Sequence, residues 1–370
     1  MPLKRGRPCP AGYQMVDSFA IRNFRGFNEV KVEDCRLINV LVGDNGSGKT
    51  TLLEALFLAA GVSPEIAVRT RGWRGQENQQ LSGSHEDIIE ALWADMFYMF
   101  RTNQAAFVSM KGSGEENRSV SVFLNRVGQV RAIPPDRKRP AAKVRVEPVL
   151  TPIEFRWKIQ GLPDVIVEPK FQGNELSFPP VPARPIRAAF FASNRTSGPL
   201  ETAGRFSELS RSFIENDFVE RFTRVFPTIK NIGVELSAGT PLLFASVEGL
   251  PRKIPLNLAS GGMNKLAAIL LSITDQSGGI VIVDEIENGF FHKRLPIIWE
   301  TLLDFARLYR CQLFVSTHSD ECLQAAAALA KEAPDEFCMM RTVKEGDGTK
   351  VRRFDGERFA SAILADVEVR

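Results

Sequence analysis

Residues 43–50 read Gly43-Asp44-Asn45-Gly46-Ser47-Gly48-Lys49-Thr50 and fit the G-x-x-x-x-G-K-[ST] phosphate-binding loop at every position. The apolar run Leu37-Ile38-Asn39-Val40-Leu41-Val42 before it predicts a buried strand, and residues 51–58 after it predict a helix. Strand, glycine loop and helix are the context this motif needs. The glycines let backbone N–H groups turn in on phosphates, and the helix N-terminus adds partial positive charge. Lys49 is then placed to reach the β- and γ-phosphates, and the Thr50 hydroxyl to ligate Mg²⁺.

A second group of signals lies far downstream. Gly279-Ile280-Val281-Ile282-Val283-Asp284-Glu285 is a β-branched run ending in two carboxylates. Such a run predicts a strand covered on both faces, as in a parallel sheet. Asp284 at its C-terminal end suits a Mg²⁺ ion shared with Thr50, and Glu285 suits polarising an attacking water. Phe314-Val315-Ser316-Thr317-His318-Ser319 predicts another apolar strand, whose closing His318 falls at the same sheet edge as Asp284 and so suits a γ-phosphate contact. Residues 295–308 between the two strands carry Leu295, Ile298, Trp299, Leu302 and Phe305 at helical spacing, which completes a strand–helix–strand unit. Upstream, Ser260-Gly261-Gly262 opens an apolar helix, with Ser260 at the cap position.

The rest of the chain bounds the setting. The 370 residues suffice for one large domain or two ordinary ones. With 47 basic and 44 acidic residues the net charge is only +3, so the whole-molecule field announces no nucleic-acid partner. Five scattered cysteines without a C-x-x-C pair fit a reducing, cytoplasmic location. No apolar run reaches about 18 residues, so no membrane partner is expected. Residues 1–12 read as a flexible basic tail; its Arg5-Gly6-Arg7-Pro8 is similar to a minor-groove-binding core. Residues 62–184 read as an inserted α+β region. It holds a helix over 86–100, short strands, and a basic proline-rich loop at 131–140, with no heptad repeat for a coiled-coil arm. A single helix over 207–226 is expected, anchored by Phe213, Phe218 and Phe222.

Taken in order, the phosphate loop, Ser-Gly-Gly turn, apolar-Asp-Glu strand and strand-Ser-Thr-His resemble an ABC-type ATPase of the RecF/SMC/OLD-like group. Ile21-Arg22-Asn23-Phe24-Arg25-Gly26-Phe27 is similar to the group's opening stretch, and residues 284–292 to its extended acid loop. Two departures stand out. Ala259 and Met263 replace the first and last residues of the family's Leu-Ser-Gly-Gly-Gln signature, and the Q-loop glutamine has only Gln79 and Gln80 as positional candidates.

The resemblance implies an α/β P-loop NTPase fold. It would be an ABC-type head with a mixed sheet, a β subdomain at the N-terminus and an inserted α+β region. The implied ATPase domain is discontinuous, over 13–61 and 185–370. ATP and Mg²⁺ are the implied cofactors. Asn45, Gly46, Ser47, Gly48, Lys49, Thr50, Thr51, Ser260, Gly261 and Gly262 would bind the nucleotide, and Thr50 and Asp284 the metal. Glu285, His318 and Lys49 would act in hydrolysis. Such heads close head to tail on ATP, so a homodimer or higher oligomer is expected. Residues 319–370 are too few for the nuclease domain that OLD proteins carry, so an effector is expected on a separate chain. The expected role is a sensor or scaffold subunit in prokaryotic antiphage defence or a toxin-linked system. The alternative is a RecF-like repair ATPase, for which DNA or RNA would be a partner.

Overall fold

The structure, a computed structural model, describes residues 16–61, 63–72, 85–112, 117–124, 129–130, 148–149, 153–172, 175–179, 185–193, 198–346 and 348–365. The basic tail, the loop at 131–140 and the candidates Gln79 and Gln80 lie outside the described residues.

Two six-stranded sheets dominate. The first runs Ala188–Phe191, Ile280–Val283, Gln312–Ser316, Ile38–Val42, Phe337–Glu345 and Gly348–Asp355 in spatial order. Its first five strands are parallel and its last is an antiparallel edge, giving the expected mixed sheet. Both faces are covered, which is why its strands read as unbroken apolar runs. Val281 and Val283 enter one core with the helices Gly261–Asp275, Leu295–Tyr309 and Asp320–Glu332. Ile280 and Ile282 enter a second core on the other side.

The helix Lys49–Ala60 fills that second core. Leu52, Leu53, Ala55, Leu56, Ala59 and Ala60 are all fully buried, because the helix is sandwiched between the two sheets. The second sheet is antiparallel and ordered Phe27–Val32, Val16–Phe24, Ala106–Gly112, Arg118–Leu124, Ile153–Ile159, Val165–Val167. The expected boundary at 61/62 is bridged by this sheet: among the described residues of 62–184, four strands extend the N-terminal hairpin. Ile21 pairs with Val108 across the junction, and Arg118 donates to the carbonyl of Ala60 at the end of the phosphate-loop helix (3.0 Å). The physical reason is an open edge: the strand Val16–Phe24 has a buried face and one edge that Phe27–Val32 leaves unpaired. Strand composition shows that 106–112 is extended, but not which edge it joins.

Fully buried Gln312 joins the two sheets. Its side-chain amide donates to the carbonyls of Val16 (3.0 Å) and Arg36 (2.8 Å), and its oxygen accepts from the Val16 N–H (2.8 Å).

Two expected helices are shorter than their patterns. Residues 86–100 form the helix His85–Trp93 and then 3₁₀ turns, broken where Met99 and Phe100 take positive φ (48° and 55°). Residues 207–226 form two helices, Pro199–Arg211 and Glu215–Val225. Phe218 and Phe222 are buried as expected, each contributing roughly 1.5–3 kcal/mol. Phe213 is not an anchor: it sits in the break at φ 59° and is 87% exposed. Its five-residue spacing from Phe218 puts it off the helical stripe.

Candidate active site

The phosphate loop leaves the strand Ile38–Val42 and enters the helix Lys49–Ala60 as the sequence predicts. Its glycine requirement is physical at two positions. A Cβ on Gly43 (φ 142°) would lie 2.4 Å from the Thr342 carbonyl oxygen. Gly48 caps the helix at φ 99°, a left-handed conformation that costs other residues roughly 1–2 kcal/mol. No side chain caps this helix, so its first-turn N–H groups remain available to an anion. The Ser47 hydroxyl bonds the Thr342 hydroxyl (2.6 Å), fastening the loop to the neighbouring strand.

The loop forms one wall of a cleft of about 480 Å³. Asn45, Gly46, Gly48, Lys49, Thr50 and Thr51 line it, together with Phe190, Ala192, Ser193, Asp284 and Glu285. That volume is in the range of small-ligand sites. Lys49 is buried and donates to the loop's own carbonyls, at Gly43 (2.6 Å) and Asp44 (3.0 Å). Burial lowers its pKa, against the pull of Asp284, Glu285, Glu287 and Asp44. A polyphosphate in the cleft gives this ammonium a better partner than two neutral carbonyls.

Asp284 ends the strand Ile280–Val283 and is 4% exposed. It accepts from the Thr50 hydroxyl on one oxygen (2.8 Å) and from the Ser316 hydroxyl on the other (2.5 Å). Ser316 in turn accepts the Glu285 N–H (2.8 Å). Thr50 and Asp284 thus meet across 234 residues of chain.

Glu285 takes a left-handed backbone (φ 50°), at a cost of roughly 1–2 kcal/mol. Two bonds offset that cost: Ser316 holds its N–H, and Lys265 Nζ donates to its carbonyl (2.8 Å). A charged hydrogen bond contributes about 1.5–3 kcal/mol, enough to hold the strained peptide. The Glu285 carboxylate lines the cleft and accepts from Asn288 Nδ2 (2.7 Å). Burial pushes the Lys265 pKa down to about 8, opposed by Glu287, Glu285 and Asp284.

His318 follows the strand Gln312–Ser316 and is exposed. Its Nδ1 bonds Glu287 (3.0 Å) and lies 3.9 Å from Glu285. It does not line the main cleft; it lines a smaller one with Gly43, Asp44 and Asn45 on the other side of the loop. Ser260, Gly261 and Gly262 do not line the main cleft either. Ser260 occupies the cap position of Gly261–Asp275, but its hydroxyl makes no capping bond. Gly261 is exposed and open, whereas a Cβ on Gly262 would lie 2.2 Å from the Gly289 carbonyl oxygen.

The motif reading missed Ser316, Lys265 and Asn288, which position the acid loop. Ser316 stood inside a noted motif, but a lysine on an apolar helix gave no signal. It also missed the partner of Arg25, which forms a buried ion pair with Glu54 on the phosphate-loop helix.

Two family models match the chain. An "AAA domain" covers residues 18–148, and an "AAA domain, putative AbiEii toxin, Type IV TA system" covers residues 144–323. An "ATP/GTP phosphatase" of Helicobacter pylori is 20% identical over 341 residues, spanning 86% of this chain and 89% of its own length. A "DNA double-strand break repair Rad50 ATPase" of Methanopyrus kandleri is 29% identical over 104 residues, 28% of this chain and 11% of the relative. A "DNA replication and repair protein RecF" of Mannheimia succiniciproducens is 52% identical over 52 residues, 14% of each chain. The two AAA-domain models and these relatives mark the chain as an ATPase similar to the ABC-type RecF and Rad50 proteins.

Proposed function

We propose that this ATPase completes its site by pairing head to tail with a second copy, the phosphate loop of one chain facing Ser260, Gly261 and Gly262 of the other. One observation carries the reading. Within a single chain the cleft is lined by the phosphate loop and the acid pair but by none of the three signature residues. The open Gly261 and the uncapped Ser260 hydroxyl suit a phosphate arriving from outside the chain.

In the paired state, residues 45–51 hold the phosphates of ATP, with Lys49 drawn off its own carbonyls onto them. Thr50 and Asp284 fit Mg²⁺, because hydroxyl and carboxylate oxygens are the hard donors such an ion takes and the two already touch. The ion would neutralise charge on the β- and γ-phosphate oxygens. Glu285 takes the proton of the attacking water as general base, once its carboxylate leaves Asn288. His318 moves from Glu287 to the γ-phosphate.

Size-exclusion chromatography with the Glu285→Gln variant tests this. ATP should convert it to a persistent dimer. Hydrolysis at the wild-type rate would show the base assignment to be wrong, and a monomer at saturating ATP would end the head-to-tail reading.

Opening and closing of the pair would control a separate effector, with the chain as a cytoplasmic sensor or scaffold in antiphage defence or a toxin-linked system. The toxin-linked description of the family model over 144–323 supports this. Co-purification of a toxin or nuclease encoded beside it is the check. The RecF match favours a second reading, a DNA-repair ATPase. That reading requires ATP turnover stimulated by DNA and falling steeply with salt.

A further inference from the structure

The turn after the acid pair is built against the signature helix of the same chain. Gly262, in the first turn of Gly261–Asp275, packs against Gly289 so closely that a Cβ on it would lie 2.2 Å from the Gly289 carbonyl oxygen. One turn further along the helix, Lys265 is buried and reaches back over this contact. Its ammonium donates to the carbonyls of Glu285 (2.8 Å) and Asn288 (3.2 Å) and lies 5.8 Å from the Phe290 ring centroid. No carboxylate lies within ion-pair distance of it among the described residues. It spends its charge on two backbone oxygens, one of them on the residue with the left-handed backbone whose side chain faces the cleft.

We propose that Lys265 is a positioning residue for hydrolysis. It fixes the Glu285–Asn288 turn from the signature helix, so that the helix receiving the partner's nucleotide sets the aim of this chain's own Glu285. The second half of this statement rests on the head-to-tail reading; the first does not. The geometry gives Lys265 no contact with the cleft, so it acts through Glu285 and not on ATP. Ser316 holds the N–H of Glu285 and Lys265 holds its C=O, so the peptide planes on either side of its Cα are both fastened. Without the lysine the 285–286 peptide keeps only the neutral bonds from Asn288 N–H to the Glu285 carbonyl (3.2 Å) and from Ile286 N–H to the Ser316 carbonyl (3.0 Å), which loosens the turn; a shift of the carboxylate by about 1 Å costs about 100-fold in rate.

The test compares Lys265→Met, which keeps the length of the side chain and removes its donors, with Lys265→Arg, which keeps them. For Lys265→Met, kcat should fall about 10- to 100-fold, with KM for ATP and fluorescent-ATP affinity within about 3-fold of wild type, and Lys265→Arg should recover most of the loss. An unchanged kcat, or a loss confined to KM and affinity, overturns the proposal. If Lys265→Met does not fold, Lys265→Leu, which also lacks a donor, carries the same comparison.

Mixed dimers then separate the two roles of the helix. One chain carries Lys49→Ala and supplies only its signature; the other supplies the working phosphate loop and Glu285. Lys265→Met in the working chain should slow turnover, and in the Lys49→Ala chain should not. The opposite pattern overturns the proposal. A wild-type chain that stays monomeric with ATP ends the pairing reading alone, because the kcat of Lys265→Met in the single chain still decides the positioning role.

Discussion

The acid loop at 284–290 and the signature turn at 258–262 lie against each other, yet they are built in opposite ways. In the first, each acid is held by groups of the same chain, with one oxygen of Glu287 left over. Asp284 has Thr50 and Ser316, Glu285 has Ser316, Lys265 and Asn288, and Glu287 has the ring and the backbone N–H of His318. In the second, Ser260 makes no capping bond, Gly261 faces open space and Leu258 is 74% exposed. One half of the site is organised before any ligand arrives. The other half is left polar, small and uncovered, as a surface is when its ligand comes on another molecule.

The largest expected effect tests the organised half. Glu285→Gln should lower turnover by about 10²- to 10⁴-fold, the range of a lost general base, while ATP affinity is kept. A turnover assay beside a binding titration checks both. Lys49→Ala should follow, costing about 10²- to 10³-fold for the loss of a charge aimed at the phosphates. Unlike Glu285→Gln, it should abolish the ATP-induced dimer.

The two glycines of the signature sharpen the comparison further. Gly262→Ala puts a methyl onto the Gly289 carbonyl and should destabilise the isolated chain by about 1–3 kcal/mol, read as a lower Tm. Gly261→Ala meets nothing within 4 Å, so Tm should hold while ATP-dependent pairing weakens. A Gly261→Ala chain that pairs and turns over normally would show that the open half receives nothing.

The smallest effect concerns rigidity beneath the acid loop. Burial pushes the Cys322 thiol up to about 12 and Cys338 to about 11, and raises Cys311 as well. The thiolate is the reactive form, so these sites should resist a disulfide-exchange reagent at pH 8 in the native chain and react on unfolding. Rapid labelling of Cys322 would mean that the helix Asp320–Glu332, capped by Ser319 beside His318, opens readily.

What could be read from the sequence follows the range of the forces involved. Residues 43–50 and 280–285 declare themselves because strand, turn and charge are written within a few neighbours. Thr50 and Asp284 were placed together only because a motif supplies that long-range fact. Ser316, Lys265 and Asn288 were missed as positioning groups because their roles come from hydrogen bonds closed by the fold: a lysine amid Leu266, Ala267 and Ile269 carries no local sign of a buried carbonyl partner. The strands within 62–184 were visible by composition, but their place beside Val16–Phe24 was not, since hydrogen-bonding edges leave no pattern in side chains. Phe213 misled because an aromatic residue near a helix reads as core, and only the backbone break turns it outward.

Gln312 deserves a last consequence. Its one amide is shared between a strand of the parallel sheet and the backbone at Val16 and Arg36, with the phosphate-loop helix clasped between the sheets. That arrangement is mechanically a welded joint and not a hinge. If a nucleotide closing on residues 43–50 turns the parallel sheet, Gln312 ties the start of the strand Val16–Phe24 to that turn. The strands Ile153–Ile159 and Val165–Val167, at the far end of the sheet so tied, would then move farthest.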